Sequence, residues 1–184
     1  LSAGAWYGWS CLPKDVKALV ETGKEFWYDF QIIASADRVN EYQKHRVVEK
    51  LIEQLWDLWG KTIALWWLAF KPETDDVREA VSNTVLQELL KNNVKEIRVF
   101  DPVAHEAMKI FWPQDSKIIY CETNYDAAKE SDAILLLTEW DEFFAPDWKH
   151  LKKSMVWNLI IDGRNIWNRE IVESYDFSYI AIGR

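Results

Sequence analysis

Residues 62–80 read TIALWWLAFKPETDDVREA. The first nine are apolar except for one threonine, a run of strand length. A strand that is apolar throughout, rather than alternating, is buried on both faces, as in a parallel sheet. The stretch DDVREAVSNTVLQELLKNN (75–93) then reads as a helix, with Asp76 and Glu79 at capping-box spacing. The same alternation repeats to the end of the chain. KEIRVFDP (95–102), SKIIYCE (116–122), DAILLLTEW (132–140), NLIIDGRN (158–165) and FSYIAIGR (177–184) read as strands. AHEAMKIF (104–111), YDAAKES (125–131) and APDWKHLKKSM (145–155) read as helices. Strands alternating with helices define an α/β domain on a parallel sheet covered on both faces. We expect it to occupy residues 59–184. No GxGxxG follows the first strand, so any nucleotide is held without the usual dinucleotide fingerprint.

Upstream of Gly60 the period changes to that of helices. Pro13 is well placed in the first turn of a helix through DVKALVETGK. A longer pattern runs from about Ala36 to Leu58, where Val39, Tyr42, Val47, Leu51, Leu55 and Leu58 recur at spacings of three and four. We expect one long helix there, in a helical region spanning residues 1–58. Its apolar stripe either packs on its own domain or also serves as a dimer contact.

Composition narrows the function. With 22 Lys and Arg against 30 Asp and Glu, the net charge is −8. That argues against nucleic-acid binding, which relies on clustered cations. No apolar run approaches the ~20 residues that span a bilayer. The first residues, LSAGAWYGWS, lack the pattern of a signal peptide. The two cysteines, Cys11 and Cys121, form no CxxC pair, so free thiols in a cytoplasmic protein are expected. His45, His105 and His150 show no ligand spacing, and no metal site is expected.

In open α/β sheets ligands sit beyond the carboxyl ends of the strands. Three polar clusters fall at such ends: Phe70-Lys71 with Thr74, Asp75, Asp76 and Arg78; Thr138-Glu139-Trp140; and Asp162-Gly163-Arg164-Asn165. Lys71 and Arg78 flank an expected helix start, which favours an anion. Arg164 can add a bidentate phosphate contact. Together they point to a phosphorylated ligand. At the other end of the chain, SCLPKD (10–15) leaves Cys11 either as a small apolar filler or as a nucleophile with a cation and an acid in reach.

The series SCLPKD, DRVNEYQ, LAFKPETDDVREA, FDP, LLLTEW, IIDGRNI and a final IGR resembles the UDP-glucose 6-dehydrogenase family, within the UDP-glucose/GDP-mannose dehydrogenases. The resemblance covers essentially the whole chain but only the family's carboxyl half. SC before the proline, with TEW and DGRN, favours UDP-glucose over UDP-N-acetylhexosamines; GDP-mannose is a near competitor. The resemblance implies oxidation of a sugar 6-hydroxyl to a carboxylate with two NAD in succession, through a cysteine thiohemiacetal and thioester. It makes Cys11 the nucleophile and Asp15 the organiser of water. Lys14 and Arg78 would meet NAD, and Phe70, Lys71 and Arg164 would contact the UDP-sugar. Cys121 would be structural. It further implies a homodimer through the long helix, with the amino-terminal dinucleotide-binding domain lying outside this stretch. A non-catalytic nucleotide-sugar-binding or dimerisation module is the other reading.

One departure is systematic. The chain has 12 Trp and 6 Gly, where average usage puts glycine near ~7%. Trp6, Trp9, Trp27 and Trp67 stand where the resemblance leads us to expect glycine, the residue for backbone with φ > 0 or in close approach to a ligand. The repeated direction of replacement points to one systematic origin, in engineering or in an imperfectly determined sequence.

Overall fold

The computed structural model describes residues 4, 6, 7, 12–112 and 115–183. Cys11, Trp9 and Arg184 lie outside them. Among the described residues six strands form one all-parallel sheet: β1 (Thr62–Trp66), β2 (Glu96–Phe100), β3 (Ile118–Tyr120), β4 (Ala133–Leu136), β5 (Leu159–Asp162) and β6 (Ser178–Ala181). Their spatial order is β3-β2-β1-β4-β5-β6. That is the doubly wound Rossmann order, which reverses direction between β1 and β4. Ile63 pairs with Ile97 on one side and Ala133 on the other, and Leu136 pairs with Asp162. Every residue of β1, β4 and β5 is buried, which explains their unbroken apolar reading.

Among the described residues eight α-helices accompany the sheet: α1 (Leu12–Glu25), α2 (Gln31–Gln43), α3 (Arg46–Leu55), α4 (Val81–Lys91), α5 (His105–Phe111), α6 (Asn124–Ala128), α7 (Trp148–Ser154) and α8 (Arg169–Ser174). The short α8 has no counterpart in the sequence reading. Asn168 caps it by accepting from the Ile171 N–H, and six residues are too few to display a period.

The single helix expected over 36–58 is two helices. At the joint the Lys44 and His45 N–H groups donate to Glu41 and Tyr42 carbonyls, three residues back, and α3 restarts from the His45 carbonyl. Both residues keep right-handed backbone, so the path bends without breaking. The two halves have different surroundings. α3 buries Val47, Val48, Leu51 and Leu55 in the core shared with the sheet. α2 buries only Asn40. α3 ends at Leu55 because Trp56 turns to φ 66°.

The helix expected from Asp75 begins instead at Val81. Glu79 has positive φ, 54°, which no right-handed helix accommodates. Asp76 therefore caps no helix. Its carboxylate accepts the Arg78 N–H at 3.0 Å and both Arg78 Nε and Nη2, at 2.9 and 2.8 Å. Lys71 and Arg78 thus lie on a loop before α4, not at its first turn.

Candidate functional site

The three polar clusters leave the carboxyl ends of β1, β4 and β5, adjacent strands at and beside the switch point. Two buried aspartates shape the loops that carry them. Asp101, just past β2, is 1% exposed. Its Oδ2 accepts the N–H groups of Leu68 and Ala69, and its Oδ1 those of Val103 and Ala104, all at 2.7–3.1 Å. It thereby fixes the β1 exit that presents Phe70 and Lys71. The His105 Nε2 accepts the Asp101 N–H at 3.0 Å. Burial holds this imidazole below its ordinary pKa, against the pull of the Asp101 charge, so its lone pair stays available.

Asp162, the last residue of β5, is fully buried. Its carboxylate accepts from the N–H groups of Arg164, Asn165, Ile166 and Trp167 and from the Tyr179 hydroxyl. Isolated, such a buried charge would be costly; five donors offset that cost and lock the loop. Gly163 must lack a side chain, because a Cβ there would meet the Leu136 carbonyl oxygen at 2.7 Å. The glycine lets the loop turn tightly against β4 and aim Arg164 across the rim.

Arg164 meets the second cluster. Its Nη2 donates to Glu139 Oε1 at 2.6 Å, and its Nε lies against Glu139 Oε2. The indole of Trp6 covers the guanidinium at 5.9 Å. The Tyr7 N–H, one residue on, donates to the Asn40 Oδ1 of α2 at 2.8 Å. Lys71 Nζ lies over the Phe70 ring at 5.7 Å. Trp67 and Trp140, at the β1 and β4 exits, pack with ring centroids 5.1 Å apart.

Lys14 and Asp15 are exposed on the first turn of α1. Arg78 is 74% exposed and paired to Asp76. Cys121 is a buried free thiol whose pKa burial pushes up, a poor setting for a nucleophile. Cys11 itself lies outside the described residues. The support given by Asp101 and Asn40 escaped the sequence reading. An aspartate directly after a strand, in FDP, was the available signal for the first; the second had none, because it acts across 33 residues. Among the described residues no cluster of three or more His, Cys, Asp or Glu is placed to hold a metal, and no helix is long and apolar enough to cross a membrane.

A Rossmann-order sheet whose switch-point rim carries a basic side chain on each of two loops is the architecture of a nucleotide-binding α/β domain. The chain belongs to the UDP-glucose/GDP-mannose dehydrogenase family: its UDP binding domain model matches residues 64–169 and its central domain model residues 1–42. A UDP-glucose 6-dehydrogenase of Pseudomonas aeruginosa is 39% identical over 99% of this chain and 41% of its own length. One from Bacillus subtilis is 38% identical over all of this chain and 41% of its own length. Among solved structures, a UDP-glucose dehydrogenase from Pyrobaculum islandicum superposes with a TM-score of 0.81 at 28% identity, covering 99% of this chain and 38% of that one. The chain thus spans about two-fifths of the relatives it matches, at their carboxyl-terminal end.

Proposed function

We propose that these 184 residues are the UDP-sugar-holding part of an NAD-dependent, cytoplasmic UDP-glucose 6-dehydrogenase. Residues 1–58 would form its helical dimerisation region and 59–184 its UDP-binding domain. The observation that carries this reading is the rim: Phe70 and Lys71 on a loop held by Asp101 after β1, and Arg164 on a loop held by Asp162 after β5, the two strands that flank β4. A planar base can lie against Phe70 while Lys71 and Arg164 meet the diphosphate. Glu139, which now engages Arg164, would share or yield that guanidinium to the ligand.

Cys11 is the proposed nucleophile. A thiolate is strongly nucleophilic. It would add to the sugar aldehyde, giving a thiohemiacetal; loss of hydride would leave a thioester, and water would hydrolyse it to the carboxylate and free thiol. Asp15, on the turn after Cys11, would orient that water. NAD would supply the hydride acceptor for each of the two oxidations. Lys14 and Arg78 are exposed cations suited to the outer edge of a dinucleotide. The described residues offer no glycine-rich phosphate cradle, so the body of the cofactor would be held elsewhere in the enzyme. By itself this stretch would bind UDP-glucose without turnover.

Isothermal calorimetry with UDP-glucose tests the placement. Arg164→Ala should weaken binding by about 1.5–3 kcal/mol, the worth of a charge-assisted contact. Equal affinity of the two forms would sink it. No absorbance at the NADH band should develop with excess NAD and UDP-glucose; sustained NADH formation would contradict the division of labour proposed.

A further inference from the structure

Three tryptophans hold backbone that belongs to glycine. Trp27, Trp56 and Trp67 have φ of 57°, 66° and 100°. Positive φ is uncommon for any residue but glycine, and for a bulky one it is an outlier. Each of the three ends an element. Past α1, the Tyr28 N–H donates to the Gly23 carbonyl and the Trp27 N–H to that of Lys24. This is a Schellman ending with Trp27 at the left-handed position where glycine is usual. Trp56 closes α3 with φ 66° and ψ −37°, again on the positive-φ side, and Trp67 follows the last residue of β1.

Two of the rings earn no place there, while that of Trp67 is fully buried beside Trp140. Trp27 is 97% exposed and Trp56 89%. Trp66, Trp148 and Trp167, buried as Trp67 is, differ in backbone: they lie outside the positive-φ set, and they pack against one another and Phe143 or Phe177. The anomaly therefore belongs to particular positions, not to tryptophan as such. It occurs in a chain with twice as many tryptophans as glycines.

We propose that positions 27, 56 and 67 are glycine in the protein its host makes. Codon TGA differs from the glycine codon GGA only in its first base. A host that reads TGA as glycine would scatter it among ordinary glycine codons; read as tryptophan, it yields this pattern. The assignment bears on the binding rim. Position 67 leaves β1 beside Trp140, at the reversal of strand order where ligands of such sheets bind. Glycine there withdraws an indole from between the β1 and β4 exits, next to the loops carrying Lys71 and Arg164. It opens a crevice for the nucleotide sugar. This last step rests on the UDP-sugar reading above.

Peptide masses of the protein isolated from its own host should show glycine at all three positions; tryptophan there overturns the proposal. In the 184-residue chain, Trp27→Gly and Trp56→Gly should each melt about 2–4 °C above the matching alanine variants, because alanine removes the ring but keeps the strained φ. Equal melting temperatures would also overturn it. Trp148→Gly, at an ordinary core position, should lower the melting temperature; a rise would mean that glycine is generally favoured and would remove the argument from φ. By calorimetry, Trp67→Gly should bind UDP-glucose at least tenfold more tightly than the tryptophan form, and unchanged affinity overturns the crevice. If neither form binds while masses and melting temperatures come out as expected, the ligand reading falls and the glycine assignment stands.

Discussion

Asp162 and Tyr120 meet burial in opposite ways. Asp162 keeps five donors around its carboxylate. Replacement by alanine would strand them inside the protein. Leaving buried donors unpaired costs roughly 1–3 kcal/mol each, not additively, so Asp162→Ala should lower the melting temperature sharply and Asp162→Asn, which keeps one acceptor, by less. Thermal unfolding of the two variants checks the order. Among the described residues the Tyr120 hydroxyl is buried with no hydrogen-bond partner. Burial first, and then the charge of Glu106, push its pKa up to about 12. The folded state therefore holds that proton more tightly than the unfolded chain, whose tyrosine titrates near 10. The linked stability is fully present below about pH 10 and is lost as pH rises from there toward about 12. Melting curves should fall more steeply over that window for the parent than for Tyr120→Phe; parallel curves would contradict the assignment.

At the scale of elements, the bend at Lys44-His45 separates a helix that builds the core from one that does not. α3 gives four residues to the interior. α1 and α2 leave Leu12, Leu19, Ile32, Val39 and Tyr42 exposed. Such faces on consecutive helices fit the proposed homodimer contact. Sedimentation at several concentrations should show a dimer, and Ile32→Asp with Val39→Asp should shift it to monomer while circular dichroism keeps the helical signal. A monomer at every concentration in the parent would argue against this interface.

For the molecule as a whole, the sheet should hold together independently of ligand and gain stability from it. A ligand at 100 times its dissociation constant adds about 2.7 kcal/mol to the native state. UDP-glucose at that excess should therefore raise the melting temperature of the parent. At the same concentration it should raise that of Arg164→Ala much less. An equal rise in both would place the ligand away from the β5 exit.

The α/β class and the polar strand ends were legible in the sequence because they rest on local signals. Buried parallel strands read as unbroken apolar runs, and DGRN and TEW follow them directly. Trp27 and Trp67 could be suspected of standing in for glycine on the same local grounds. Other features depended on tertiary contacts. The bend that divides the long helix follows from α3 packing on the sheet while α2 does not, a difference that one shared apolar stripe cannot express. The late start of α4 follows from left-handed backbone at Glu79, a residue with no turn preference of its own. The strand order places the β2, β1, β4 and β5 exits side by side, and only that neighbourhood lets Arg164 reach Glu139 and Asp101 support the loop of Lys71. Sequence records which residues follow each strand; which strands lie together is decided by long-range pairing and burial.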